Sequence, residues 1–136
     1  MRKLFTVLTA GLLAMILAGC GAQPGAGTSD PDYAAKYKAA VEPLAHLASV
    51  DASYKSSGGM GRSGDVFLHA DTSDRETMMS VLQEAFPAIV DAAAGDPEVN
   101  LAIQVISADG ASAVSPADLG YSGTGSLTSY RAFLGK

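Results

Sequence analysis

The stretch SDRETMMSVLQEAFPAIVDAA, residues 73–93, carries the strongest helical pattern of the sequence. Ser73-Asp74-Arg75-Glu76 has the spacing of a capping box, which predicts that a helix begins here. The apolar residues at three- and four-residue steps are Met78, Val81, Leu82, Ala85, Phe86, Ile89, Val90 and Ala93. Pro87 predicts a kink, and Gly95 and Pro97 predict the end of the helix. We therefore expect an amphipathic helix that covers one face of a sheet.

A strand and a hairpin are predicted after this helix. Val99, Leu101, Ile103 and Val105 alternate with Asn100, Ala102, Gln104 and Ile106. Asp109-Gly110 is a tight-turn signal, so Ala111–Val114 is expected to return beside this strand. The tail from Ser115 to Gly125 is rich in glycine, and Ser126 is expected to cap a last short helix.

Two further strands are predicted before the helix, over 50–55 and 65–70. Between them, the loop from Ser56 to Gly64 is expected to be long and mobile, with Met60 and Arg62 near its tip. Residues 59–64 match the G-x-G-x-x-G dinucleotide fingerprint, but that motif requires a helix after its last glycine. A strand pattern follows instead, which disfavours nucleotide binding.

The domain is predicted to open with a helix at Asp30-Pro31, where a capping carboxylate precedes proline at the first helical position. Its apolar face is expected to consist of Tyr33, Tyr37, Ala40, Val41, Leu44 and Leu47, with a kink or break at Pro43. At this spacing, a tyrosine stripe is more typical of a core than of a stacking platform.

These elements predict an α+β fold, a two-layer sandwich in which helices cover one face of a four-stranded antiparallel sheet. The element order is α-β-β-α-β-β-α. In that order the chain resembles small αββαββ envelope modules such as the BON domain.

The uncovered face of such a sheet is the candidate binding surface. The predicted binding residues are Phe67, His69, Asp71, Asn100, Gln104 and Ile106, with Ser53 and Lys55 beside them. Two alternatives are open at this point: an ordinary solvent face, or a face covered by the tail beyond Ser115.

The N-terminus predicts the location of the protein. Two cations, Arg2 and Lys3, precede an apolar run that ends at Leu17-Ala18-Gly19-Cys20. These last four residues resemble the lipobox of bacterial lipoprotein precursors. The resemblance implies cleavage before Cys20, the only cysteine, and its lipidation. The alternative is a transmembrane helix over 4–19, which falls short of the roughly 20 residues that a span needs.

The predicted organisation is therefore a signal peptide (1–19), a lipidated cysteine with a flexible tether (20–30) and one domain (31–136). We expect the protein to be held in a bacterial membrane, facing outside the cytoplasm. Cleavage removes both signal cations, which leaves seven Lys and Arg against fourteen Asp and Glu, a net charge of −7. This balance argues against nucleic acid and anionic headgroups as partners. An envelope protein or wall component is the expected partner.

Catalysis has little support in the sequence, and we expect a protein that is not an enzyme. The chain has two histidines, His46 and His69, and no second cysteine, and neither a cofactor nor a metal is expected. It also lacks the G-x-S-x-G and S-x-x-K motifs. The alternative is a small hydrolase or metal-dependent enzyme that uses His69 and Asp71.

Overall fold

The computed structural model describes residues 28–136, in which five strands form one sheet in the order β1-β2-β3-β4-β5. The strands are β1 (Thr28–Ser29), β2 (Leu47–Ser57), β3 (Gly61–Ala70), β4 (Asn100–Ile106) and β5 (Ala113–Val114). The helices are α1 (Pro31–Val41), α2 (Arg75–Ala92), a 3₁₀ helix (Pro116–Leu119) and α3 (Leu127–Leu134). The α+β class is thus confirmed. The predicted signal peptide and lipidation site lie outside the described residues.

The sheet is mixed, and the prediction of a purely antiparallel sheet is wrong. β3 and β4 are parallel neighbours, whereas the other pairs are antiparallel. The reason is α2, which connects β3 to β4. A connection of a dozen or more residues can carry the chain back to the starting end of the sheet, so that the next strand runs in the same direction.

The predicted stripe of α2 is confirmed, since all eight of its residues are buried. They pack with α1 and with one face of the sheet, whose buried residues include Val66, Leu68, Leu101, Ile103 and Val105. The cap is Asp74 rather than Ser73: its carboxylate accepts a hydrogen bond from the Thr77 backbone N–H at 2.8 Å. This bond holds the pKa of Asp74 below its usual value.

α1 begins at Pro31 with Asp30 as its cap, as predicted. It ends at Val41, because Pro43 cannot continue the hydrogen-bonding pattern. Leu47, expected on its apolar face, instead begins β2. Tyr37 joins α1 to the loop before β4 by donating its hydroxyl proton to Asp96 at 3.1 Å. Burial, together with this carboxylate, raises the pKa of Tyr37.

The β1 edge of the sheet and the β2–β3 connection also differ from expectation. Thr28 and Ser29, predicted to belong to the flexible tether, pair with Ser56 and Lys55 of β2. The β2–β3 connection is a short turn rather than a long loop, since β2 extends to Ser57 and β3 begins at Gly61.

No helix within residues 28–136 has both the length and the apolar character that crossing a membrane requires.

The tail packs on the helical side of the molecule. Leu127 and Tyr130 are buried, and the Tyr130 ring lies edge-on to Phe86 of α2, with ring centroids 4.8 Å apart. The Tyr130 hydroxyl donates to the Leu101 carbonyl at 2.7 Å, and burial raises the pKa of Tyr130 to about 12. The tail therefore completes the core and protects part of the β4 edge.

Candidate binding face

One face of the sheet carries no helix, and we call it the open face. It is formed by Ser49, Asp51, Ser53 and Lys55 of β2, Ser63, Asp65, Phe67 and His69 of β3, and Asn100, Ala102, Gln104 and Ile106 of β4. None of these twelve residues is buried, whereas their immediate neighbours along β3 and β4 are buried almost without exception. The difference follows from strand geometry, because successive side chains point to opposite faces.

Strand register arranges the centre of this face in rows. Phe67 lies between Asp51 and Gln104, and the next row places His69 between Ser49 and Ile106. Phe67 and Ile106 are half-buried, and the groups around them are polar. The result is a small apolar centre with a rim of carboxylate, amide and imidazole groups. Protein interfaces share this composition, with an aromatic centre and a polar rim.

His69 is held by a residue that is not among those predicted for this face. Its Nε2 atom lies 3.0 Å from Oδ2 of Asp51, on the neighbouring strand. The alternation of β2 places Asp51 on the polar side of its strand, but only the β2–β3 register brings it beside His69. The His69 and Asp51 side chains are 37% and 75% exposed, so solvent weakens their attraction.

Asp71, in contrast, does not belong with His69. It follows the end of β3, where its backbone N–H donates to the His46 carbonyl at 3.0 Å. Its carboxylate lies 3.4 Å from Nδ1 of His46. His46 is also the one non-glycine residue of the described chain with a positive φ, 64°. The pair expected for a hydrolase or metal site is therefore divided between two separate His–Asp contacts.

The remaining predicted residues lie toward the hairpin end of the face. Asn100 and Lys55 share a row with Ser63, and the Ser53 hydroxyl donates to Asp65 in the next row at 2.9 Å. Among residues 28–136, no group of three or more His, Cys, Asp or Glu side chains is placed to hold a metal ion.

The tail does not cover the apolar centre. Tyr121 and Ser122–Gly125 border the open face only at its β4 edge, beside Ala102 and Gln104. The aromatic residues of the tail instead pack with Phe86, on the helical side. The depression beside Phe67 is shallow and is lined by Asp51, Ala52, Ser53 and Asp65.

Comparison of the chain with protein-family models, with curated proteins and with solved structures found no match.

Proposed function

We propose that this protein is an extracytoplasmic lipoprotein whose domain binds a protein of the cell envelope through the open face, without catalysing a reaction. The observation that supports a binding role is the open face itself, which no helix covers and which has half-buried Phe67 at its centre. The lipobox Leu17-Ala18-Gly19-Cys20 supports the anchor. Two or three acyl chains on Cys20 would hold the domain at the membrane, since each buried methylene contributes roughly 0.8 kcal/mol.

The shape of the face favours a macromolecule over a small ligand. Small-molecule sites are concave and enclose most of their ligand. The depression beside Phe67 is open to solvent, and the neighbouring rows offer amide, carboxylate and imidazole groups across three strands. An open surface with an apolar centre and a polar rim matches the anatomy of a protein–protein interface.

The anchor is tested by Cys20→Ser. We expect the variant to leave the membrane fraction or to accumulate as an uncleaved precursor, because serine cannot form the thioether to a diacylglyceryl group. Fractionation of cells and immunoblotting measure both outcomes. A cleaved Cys20→Ser protein that still sediments with membranes would contradict the lipoprotein assignment.

The binding face is tested in the lipidated protein with two matched glutamine substitutions. Gln104 is exposed on the open face beside Phe67, and Gln83 is exposed on α2, which covers the opposite face. After cross-linking in native membranes and affinity capture, Gln104→Arg should lose a partner that wild type and Gln83→Arg both retain. We expect capture to fall about tenfold or more, which corresponds to about 1.4 kcal/mol.

Two results would contradict this role for the open face. If Gln104→Arg and Gln83→Arg capture the partner equally, the partner binds elsewhere on the molecule. Retention on cell-wall polysaccharide, with no cross-linked protein, would replace the protein partner by a wall component.

A further inference from the structure

The turn between β2 and β3 exposes the most solvent-accessible large apolar side chain of the described residues. Met60 lies at the tip of this turn and is 89% exposed. Phe133, the other exposed large apolar residue, is 42% exposed and contacts other rings: its centroid lies 5.5 Å from that of Tyr121. Phe133 is thus the edge of a packed cluster, whereas Met60 projects from the hairpin into solvent.

The same hairpin carries two cations, Lys55 and Arg62, that form no ion pair within the described residues. Within residues 28–136, the other cations are engaged: Lys36, Lys38, Arg75 and Lys136 form ion pairs, and Arg131 donates to the Ala93 carbonyl. Lys55 and Arg62 have no ion pair in this part of the chain, and no Asp or Glu occurs from Ala52 to Gly64. From Ala52 to Gly64 the hairpin therefore carries a charge of +2. The net negative charge, which argues against anionic headgroups as partners of the whole domain, does not hold for this segment.

Thr28, the first described residue, also lies at the end of the sheet that carries this hairpin. β1 runs antiparallel to β2 with Thr28 opposite Ser56, one residue before β2 ends at Ser57. Cys20 precedes Thr28 by eight residues, a distance of at most about 28 Å when fully extended. β2 alone, with 11 residues, spans about 36 Å. The anchor is thus joined to the hairpin end of the sheet, and the opposite end lies farther from it.

We propose that the tip of the β2–β3 hairpin, Ser57–Arg62, docks on an anionic phospholipid bilayer, with Met60 entering the interface and Lys55 and Arg62 meeting the headgroup phosphates. This inference rests on the proposed lipid anchor at Cys20, which supplies the proximity. One methionine and two cations bind a bilayer too weakly to hold the protein by themselves. Once the lipid anchor holds the domain close to the bilayer, however, Met60 and the two cations favour the orientation in which the hairpin faces the lipid. The acidic remainder of the domain is repelled from anionic lipid.

Tryptophan fluorescence tests this orientation, because the chain contains no Trp. Met60→Trp and, as the matched control, Phe133→Trp are expressed as full-length precursors and purified in lipidated form. They are then reconstituted in vesicles of phosphatidylcholine with a minority of phosphatidylglycerol, both with brominated acyl chains. We expect the emission of the Met60→Trp variant to shift to shorter wavelength and to be quenched by bromine. The emission of the Phe133→Trp variant should remain unquenched.

Flotation of the vesicles is measured first, with Cys20→Ser as the variant that cannot be lipidated. If the lipidated protein fails to float, the anchor and the inference both fail. If it floats and the Met60→Trp variant is quenched no more than the Phe133→Trp variant, only the docking of the hairpin is overturned. In the Met60→Trp background, Lys55→Glu with Arg62→Glu should reduce the quenching, and unchanged quenching would overturn the role of the two cations.

Discussion

The two faces of the sheet are built from alternate residues of the same strands and differ in burial. In β3, Val66 and Leu68 are fully buried beneath the helices, while Phe67 and His69, which alternate with them, remain half-buried on the open face. An aromatic residue is large enough to anchor a core, yet the fold leaves this one uncovered. Position on the pleat, and not side-chain hydrophobicity alone, therefore decides whether a residue is buried in the core or left on the uncovered face.

The largest difference between the faces is expected from truncating neighbouring residues of β3. Leu68→Ala should lower the free energy of unfolding by about 2–5 kcal/mol, because it leaves a cavity in the core. Phe67→Ala should cost about 1 kcal/mol or less, since it removes contacts on an uncovered surface. Denaturant unfolding measures both values. Equal losses would show that Phe67 belongs to the core and would break the distinction between the faces.

A smaller effect is expected from filling space on the covered face. A Cβ at Gly64 would lie 2.8 Å from the Ser53 carbonyl oxygen and 2.9 Å from the Leu101 Cδ2 atom. We therefore expect Gly64→Ala to destabilise the domain by about 1–3 kcal/mol. Gly58, in the nearby turn, has open space and no positive φ, so Gly58→Ala should change stability by less than about 0.5 kcal/mol. Thermal melting of the two variants compares them, and equal melting temperatures would contradict the close packing at Gly64.

The smallest effect is expected at His69. The His69–Asp51 contact is exposed, and such pairs contribute about 0–1 kcal/mol to stability. His69→Gln should accordingly leave unfolding almost unchanged and weaken partner capture only modestly. The enzyme alternative requires a loss of activity by orders of magnitude from the same substitution. Denaturant unfolding and affinity capture of the His69→Gln variant measure the two expected effects. A loss by orders of magnitude would favour a catalytic face, and a modest loss a binding face.

Several local features could be predicted from the sequence because they depend on nearby residues. Asp30 and Ser126 cap the helices where expected, and Asp109-Gly110 precedes a strand that returns beside β4. A cap needs a side-chain acceptor within a few residues of unpaired N–H groups, and a tight turn needs residues that tolerate its dihedral angles. Both conditions are local, so the sequence displays them directly.

The candidate site was less accessible to prediction. Phe67, Gln104 and Ile106 share a face because strand alternation requires it once their neighbours are buried. The partner of His69 was missed, because Asp51 reaches it through the hairpin register, over 18 residues of sequence. The His69 and Asp71 pair of the alternative enzyme hypothesis does not form a contact for a related reason: Asp71 lies beyond the end of β3 and contacts His46 instead.

The helical stripe of α2 and the alternation of β4 can be identified from the sequence alone, since burial of one face imposes a period of 3.6 or 2 residues on the chain. Three features become visible only in the folded domain: β3 and β4 run parallel, the tail packs against Phe86 and leaves Phe67 uncovered, and Thr28 joins the sheet beside the β2–β3 hairpin. The physical reason is that pairing direction and tail placement depend on contacts between residues distant in sequence. A periodic pattern identifies which residues are buried, but it does not specify which other element buries them.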